Sequence, residues 1–282
     1  MVYFCADDYG ISKESNRHIE ECLRDGVLNK ISVLANGDLG AFKQDLQEAQ
    51  LSLHINLLEG RALSDPKDIP LLVSDEGYFK CSFGQLLLMS LFGKRKQLQR
   101  QLYKELRAQL LFWKDQMGQA PLSVDSHQHT HMIPLIFKTL LQVIKEEDLA
   151  VTSLRIPAEP LAPYLLSPSL YFSYTPIGLV KQWVLKCFFV LNYGELKRSK
   201  IPYAYFMGVL FSGHMTEQRI RKLLPLYRKL GEKRGRDIEL GLHPGYLEPG
   251  GTLIQGARTS FEKFYFSTGR KMEYDTLMNL KF

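Results

Sequence analysis

Apolar and polar positions along this chain switch between a strand-like period of two and a helix-like spacing of three to four. Val2 to Ala6 is a short apolar run ending in Asp7-Asp8-Tyr9-Gly10. Ser12 follows as a helix N-cap, and Ile19, Cys22, Leu23 and Val27 supply that helix's apolar face. Ile31 to Leu34 predicts a second strand, stopped by Asn36-Gly37; a short helix over 41–50 then leads to a third strand, Leu51 to Leu57, carrying His54. From Leu58 to Lys96 the periodicity is poor, which predicts a lid or substrate-binding insertion over 58–96. Gln97 to Met117 is the clearest helix. Leu98, Leu102, Leu106, Leu110, Trp113 and Met117 fall three or four apart, and Gly118 stands as the stop.

A fourth strand begins at Leu122 and Val124 and leads into Asp125-Ser126-His127-Gln128-His129-Thr130-His131, after which Pro134 opens a helix to Glu147. Val151 to Ile156 predicts strand five. Pro160 to Pro176 is loop-like and aromatic, and Ile177 to Leu191 predicts an amphipathic helix. Tyr203 to Phe211 predicts strand six. Thr216 caps a basic helix that Pro225 should kink or break, and Ile238 to Leu242 predicts strand seven, running into His243-Pro244-Gly245. The tail, Thr259 to Phe282, predicts one or two helices.

Strand–helix alternation repeated about seven times predicts parallel strands with helical crossovers, hence an α/β domain over 1–282. The polar clusters fall at strand ends: Asp7-Asp8 in the first, His54 in the third, His127 to His131 in the fourth and His243 in the seventh. An open doubly wound sheet would bring fewer strand ends to one point, so four polar ends favour a barrel-like sheet.

Composition narrows the function classes. The 282 residues are 45% hydrophobic and 23% charged, ordinary for a globular protein. A net charge of +6 is spread over several short runs, with no basic aromatic face of the kind a nucleic-acid binder needs. The four cysteines, Cys5, Cys22, Cys81 and Cys187, form no close pair and read as free thiols in a reducing compartment. No secretory signal or membrane span is visible, since the most apolar run, Trp183 to Tyr193, is short and interrupted by Lys186. The expectation is a cytoplasmic protein, with a homodimer as the default assembly.

The candidate chemistry lies in the histidines and acids. If the fourth strand persists, His127, His129 and His131 share one face, and imidazole is a common transition-metal ligand. Adjacent Asp7 and Asp8 cannot both point one way in a regular strand; departure from it would bring both into one site, although an acidic first turn of the next helix would also account for them. Asp8 with His54 and His127 makes a carboxylate-plus-two-imidazole set that leaves coordination positions for water and substrate. No GxSxG elbow and no phosphate-cradling Gly-rich loop is present, which turns the reading away from serine hydrolases and nucleotide triphosphatases. Hydrolysis also needs a proton donor for the leaving group, and His243 is the candidate, with a structural role before a Pro-Gly turn as the other reading.

Taken together, Ala6-Asp7-Asp8-Tyr9-Gly10, His54-Ile55-Asn56-Leu57 with Glu59-Gly60, Asp125 to Pro134, Leu154-Arg155-Ile156-Pro157, Ser212-Gly213-His214 and His243-Pro244-Gly245 resemble the YdjC-like carbohydrate deacetylases. These pieces span nearly the whole chain. The resemblance implies a distorted parallel (β/α) barrel of the glycoside hydrolase/deacetylase type. It also implies one divalent metal, and hydrolysis of an N-acetyl group from an amino sugar with metal-bound water as the nucleophile. It makes Asp8, His54 and His127 the metal ligands, Asp7 the base and His243 the acid. His129, His131 and Arg155 would line the pocket or brace the ligands. Magnesium is the family's usual ion, whereas two imidazoles suit zinc or another transition metal better. The substrate would be an N-acetylated sugar, with phosphorylated and lipid-linked forms both open. Hydrolysis of another amide or a phosphoester, and a non-catalytic sugar-binding relative, are the alternatives.

Overall fold

The computed structural model describes residues 1–40, 46, 49–117, 122–257 and 259–281. Seven parallel strands form one sheet: β1 (Val2–Tyr9), β2 (Lys30–Leu34), β3 (Gln50–Ile55), β4 (Leu122–Ser126), β5 (Val151–Leu154), β6 (Tyr205–Met207) and β7 (Ile238–Leu242). Their order, β5-β4-β3-β2-β1-β7-β6, is the sequence order closed into a ring and opened between β5 and β6. At that seam Leu154 N–H still reaches Pro202 O at 3.0 Å. The result is a curled, barrel-like sheet surrounded by helices, as the clustered polar strand ends predict.

The strands alternate, and both sets of side chains are buried. Phe4, Ala6, Ile31, Val33, Leu53, Ile55, Val124, Leu240 and Leu242 belong to the main apolar core. The intervening residues Cys5, Asp7, Lys30, Ser32, Ser52, His54, Ser123, Asp125 and Glu239 are also buried. Register aligns this second set across the sheet, with Ser32 opposite Ser52, Ser52 opposite Ser123, and His54 opposite Asp125. Side chains two apart share a face, so one face of the sheet packs apolar on the helices and the other carries a buried polar network.

The helices are α1 (Lys13–Asp25), α2 (Phe83–Leu91), α3 (Arg95–Met117), α4 (Pro134–Glu146), α5 (Ala162–Leu165), α6 (Pro176–Ser199), α7 (Glu217–Arg234), α8 (Thr259–Tyr265) and α9 (Thr268–Asn279). α3 buries the predicted Leu98, Leu102, Leu106, Leu110 and Trp113. Gly118 and most of the short helix expected over 41–50 lie outside the described residues; Gln50 already belongs to β3. The chain from Asn56 to Leu71 is held against α3 by a ladder of buried polar side chains one turn apart. Gln101 Oε1 accepts from Leu71 N–H, Glu105 from Leu63 and Ser64 N–H, and Gln109 Oε1 from Asn56 N–H. Within the 58–96 segment α2 opens on a Ser82–Gln85 capping box.

Three elements depart from expectation. β4 stops at Ser126 and does not carry the histidines onward. His127–Met132 forms a 3-10 turn in which Gln128 (φ +51°) and His129 (φ +58°) are left-handed, so the three imidazoles do not share a strand face. β6 spans only three residues where nine were expected, because the Glu159 carboxylate accepts the N–H groups of Gly208, Val209 and Leu210. A backbone tied to a carboxylate cannot also pair with a strand. Pro225 does not break α7, which runs continuously to Arg234 and ends on left-handed Gly235.

Candidate metal centre and active site

β1 leaves strand geometry at Asp8, whose φ is +68°, and its register with β2 shifts between Ala6 and Tyr9. A left-handed non-glycine residue inside a strand is strained, and this one turns the second carboxylate away from its expected face. Gly10 completes the turn at φ +102°; a Cβ there would lie 3.1 Å from Gly37 Cα, so only glycine fits. The two neighbouring aspartates thereby enter different surroundings.

Asp8 meets two imidazoles. Its Oδ1 is 2.8 Å from His127 Nδ1 and 3.3 Å from His54 Nε2, and all three residues are buried. Their potential ligand atoms lie within 4.8 Å of one another. His54 Nδ1 donates to Asp125 Oδ1 at 2.5 Å, so that in the neutral imidazole the Nε2 lone pair faces Asp8. Ser52 donates to Asp125 Oδ2 at 2.9 Å, and Ser32 also donates to Asp125. On His127 the outer nitrogen, Nε2, looks toward Glu59 Oε1 at 3.6 Å, while Tyr265 OH donates to Glu59 Oε2 at 3.2 Å. Each imidazole thus has a carboxylate behind the nitrogen that faces away from Asp8, the arrangement that orients metal-binding histidines.

The donor set fits a divalent cation on two further observations. Glu59 Oε1 is buried without a hydrogen-bond partner. Among the described residues, the linked carboxylates Asp7, Asp8, Glu59, Asp125 and Glu239 pair with the cations Lys30, Arg155 and Arg270, an excess of two negative charges while the imidazoles are neutral. Burial opposes the charged form of every imidazole here, yet the Asp8 carboxylate lifts His127 to about 10 and Asp125 lifts His54 to about 9. Burial likewise opposes the Asp8 anion, and the charges of His127 and Arg270 overcome it, holding that carboxyl well below its usual range. The pocket is built for positive charge at Asp8.

Asp7 is held differently. Arg155 NH1 donates to Asp7 Oδ2 at 2.7 Å and NH2 to Oδ1 at 2.9 Å, a two-point grip on the carboxylate. The same guanidinium reaches Asp125 Oδ2 at 3.1 Å and Glu239 Oε1 at 2.5 Å, and Lys30 Nζ donates to Glu239 Oε2 at 2.8 Å. Cys5, Asp7 and Asp125 also cluster closely enough to hold an ion, but Arg155 already supplies their countercharge. Arg155 is 2% exposed and reaches no solvent-facing position.

β1 and β7 pair with Ala6 opposite Leu242, which sets His243 beside Asp7 along the strand ends. The His243 side chain is 17% exposed, with Nδ1 3.5 Å from Glu273 Oε2. Glu273 is itself fixed by the N–H groups of His243 and Met215. His131 is fully enclosed: its Nε2–H donates to Arg155 O at 2.8 Å, and Nδ1 accepts from Ser126 Oγ at 2.5 Å. It braces the chain that carries Arg155. His129 packs its ring against the Phe206 ring at 5.7 Å, and burial with the nearby Arg155 charge keeps it neutral.

Several residues of this region were not assigned from the sequence. Arg270 on α9 is fully buried, donates to Asp8 Oδ2 and to Gly245 O at 2.9 Å, and stacks on the Tyr265 ring at 4.3 Å. Nothing in its sequence neighbourhood marks it, since α9 is some 260 residues from Asp8. Glu239 and Lys30 sit in apolar strands, where a buried charge was the available signal. Asp125 and Glu59 lie inside recognised motifs, but their partners come from other strands.

With this geometry established, the chain can be set beside known proteins. The YdjC-like protein family profile matches residues 1–282, and the chain belongs to that family. A carbohydrate deacetylase of Mus musculus is 28% identical over 263 residues, 89% of this chain and 80% of that protein. One of Danio rerio is 31% identical over 159 residues, 55% of this chain and 49% of its own length, so the match spans about half of that relative. One of Thermoanaerobacter pseudethanolicus is 25% identical over 175 residues, 60% of this chain and 67% of the relative. Among solved structures, a candidate cellobiose-phosphate cleavage protein of Enterococcus faecalis superposes with a TM-score of 0.64 at 15% identity. It covers 99% of this chain and 90% of that one, a likeness of fold.

Proposed function

We propose that this chain is a carbohydrate N-deacetylase that hydrolyses the acetamide of an N-acetylated sugar, with one divalent metal held by Asp8, His54 and His127. The observation that carries the reading is the left-handed turn at Asp8. It splits adjacent carboxylates into one facing two imidazoles and one gripped by a guanidinium. Membership in a family whose curated relatives are named carbohydrate deacetylases supplies the substrate class. A bound divalent ion supplies Lewis-acid activation for water and for the acetyl carbonyl.

The chain's own residues divide the remaining work. Asp7, oriented by Arg155, accepts the proton of the attacking water. His243, backed by Glu273, gives a proton to the departing amine, so that acetate and a free amino sugar leave. Asp125 and Glu59 fix the orientation of His54 and His127, and Arg270 fixes Asp8. The preference between ions follows from the ligands: two imidazoles and one carboxylate favour zinc or a similar transition metal, while magnesium is the family's usual ion. The segment 58–96 is proposed as a lid or substrate-binding insertion within a single catalytic domain over 1–282.

The test is acetate release from a panel of N-acetylated sugars by protein stripped of metal and then restored with zinc or magnesium. Release that returns with metal supports the reading. Phosphate release from phosphoesters with no acetate from any sugar overturns it.

A further inference from the structure

α6 is apolar on nearly every side, and one side of it is uncovered. Ile177, Val180, Trp183, Val190 and Leu191 recur along one stripe and are 63–71% exposed. The stripe runs for about 21 Å of helix. Phe172, in the turn just before α6, is fully exposed. α2 adjoins α6 where the Phe83 and Phe188 rings stack at 6.4 Å, and it adds exposed Leu88, Leu91 and Phe92. Exposed apolar surface this continuous marks a contact site.

Charge identifies the occupant. Between Lys80 and Lys96, and between Leu161 and Lys200, there are nine Lys or Arg residues and one acid, Glu195, which is already paired with Arg198 at 2.8 Å. Lys94, Arg95 and Lys96 follow Phe92 after a single glycine and are exposed, as are Lys197, Arg198 and Lys200 at the end of α6. Lys181 flanks the apolar stripe on α6, where a long basic side chain covers apolar surface while keeping its charge at the edge. A second copy docking through the same face would bring two positive rims together. An anionic lipid surface satisfies both the apolar stripe and its basic margin.

We propose that α2 and α6 form a docking surface for anionic lipid membranes, with α6 lying along the interface. No helix among the described residues is long and apolar enough to cross a membrane. Trp183 and Tyr193 suit the headgroup level, where amphipathic rings collect. On its inner side α6 is fixed to the chain leaving β5: Gln182 Nε2 donates to Glu159 O at 2.8 Å and Lys186 Nζ to Ala158 O at 3.3 Å. This inference does not rest on the deacetylase reading.

The test mixes the full chain with phosphatidylcholine vesicles and with phosphatidylcholine–phosphatidylglycerol vesicles, at low and physiological salt. Co-sedimentation with the anionic vesicles, weakened by salt, is expected, together with a blue shift of tryptophan emission. The shift reports Trp183, because the other tryptophan, Trp113, is buried. Trp183→Glu with Leu191→Glu should abolish binding and leave the melting temperature unchanged. Replacing Lys94, Arg95 and Lys96 by Gln should weaken binding about fivefold per charge, about a hundredfold together. No binding to anionic vesicles at low salt overturns the proposal. Equal binding to neutral vesicles also overturns it, as does a dimer that Trp183→Glu dissolves in protein that binds no vesicle.

Discussion

At the scale of single residues, the site depends on which atoms each carboxylate can reach. Asp7 and Asp8 are covalent neighbours, yet one is bound by Arg155 and the other by Arg270 and two imidazoles. Asp7→Asn keeps the size of the side chain and removes its basicity. It should retain metal and lose at least about a hundredfold in acetate release; native turnover would remove Asp7 as the base, and elemental analysis checks the metal. His131 carries a pH prediction. Burial outweighs its bond to the Arg155 carbonyl and lowers it to about 4, whereas an unfolded histidine titrates near 6.5. Between those values the unfolded chain binds a proton that the folded chain excludes, so stability falls as pH drops from about 6.5 to 4. Urea midpoints should fall over that window, and less steeply in His131→Asn; parallel slopes for the two proteins would contradict the assignment.

Elements were legible where periodicity and burial agree. α3 shows its Leu98, Leu102, Leu106 and Leu110 stripe directly, whereas its second buried row, Gln101, Glu105 and Gln109, is polar and adds nothing to the apolar period. That row is buried because it satisfies backbone N–H groups of the irregular chain between Asn56 and Leu71. Glu105→Ala would orphan the Leu63 and Ser64 N–H groups and cost about 2–4 kcal/mol. Hydrogen exchange should then accelerate at those amides while the central strands stay protected. The histidine run misleads for a related reason. Alternation predicts a continuing strand, but Ser126 Oγ accepts the His131 N–H, and the chain closes into a left-handed turn. Period alone cannot register a hydrogen bond that ends a strand.

For the molecule as a whole, the sheet collects charge on one face and grease on the other. While the imidazoles are neutral the groups linked to Asp8 carry an excess of two negative charges, which a bound cation would offset in place of the two imidazole protons; metal binding should therefore add to folding stability. Adding zinc or magnesium at about 100 times its dissociation constant should stabilise the protein by about 2.7 kcal/mol, a rise of several degrees in melting temperature. His127→Ala should lose that rise, and a melting temperature that ignores metal and chelator alike would count against the site. The wider architecture was readable from polar strand ends, because parallel strands gather their C-terminal ends at one edge.

Seven strands, their order along the chain, and the motif residues Asp7, Asp8, His54, His127 and His243 follow from the amino-acid sequence, because side-chain period and local turn chemistry are written in it. The pairing of charges is not. Arg270 reaches Asp8 from the last helix, Glu239 and Lys30 meet Arg155 across the sheet, and Glu59 meets His127 from another strand's end. Such contacts join residues up to 262 positions apart. They are decided only when the strands take their register and the low-dielectric interior forces every buried charge to find its partner.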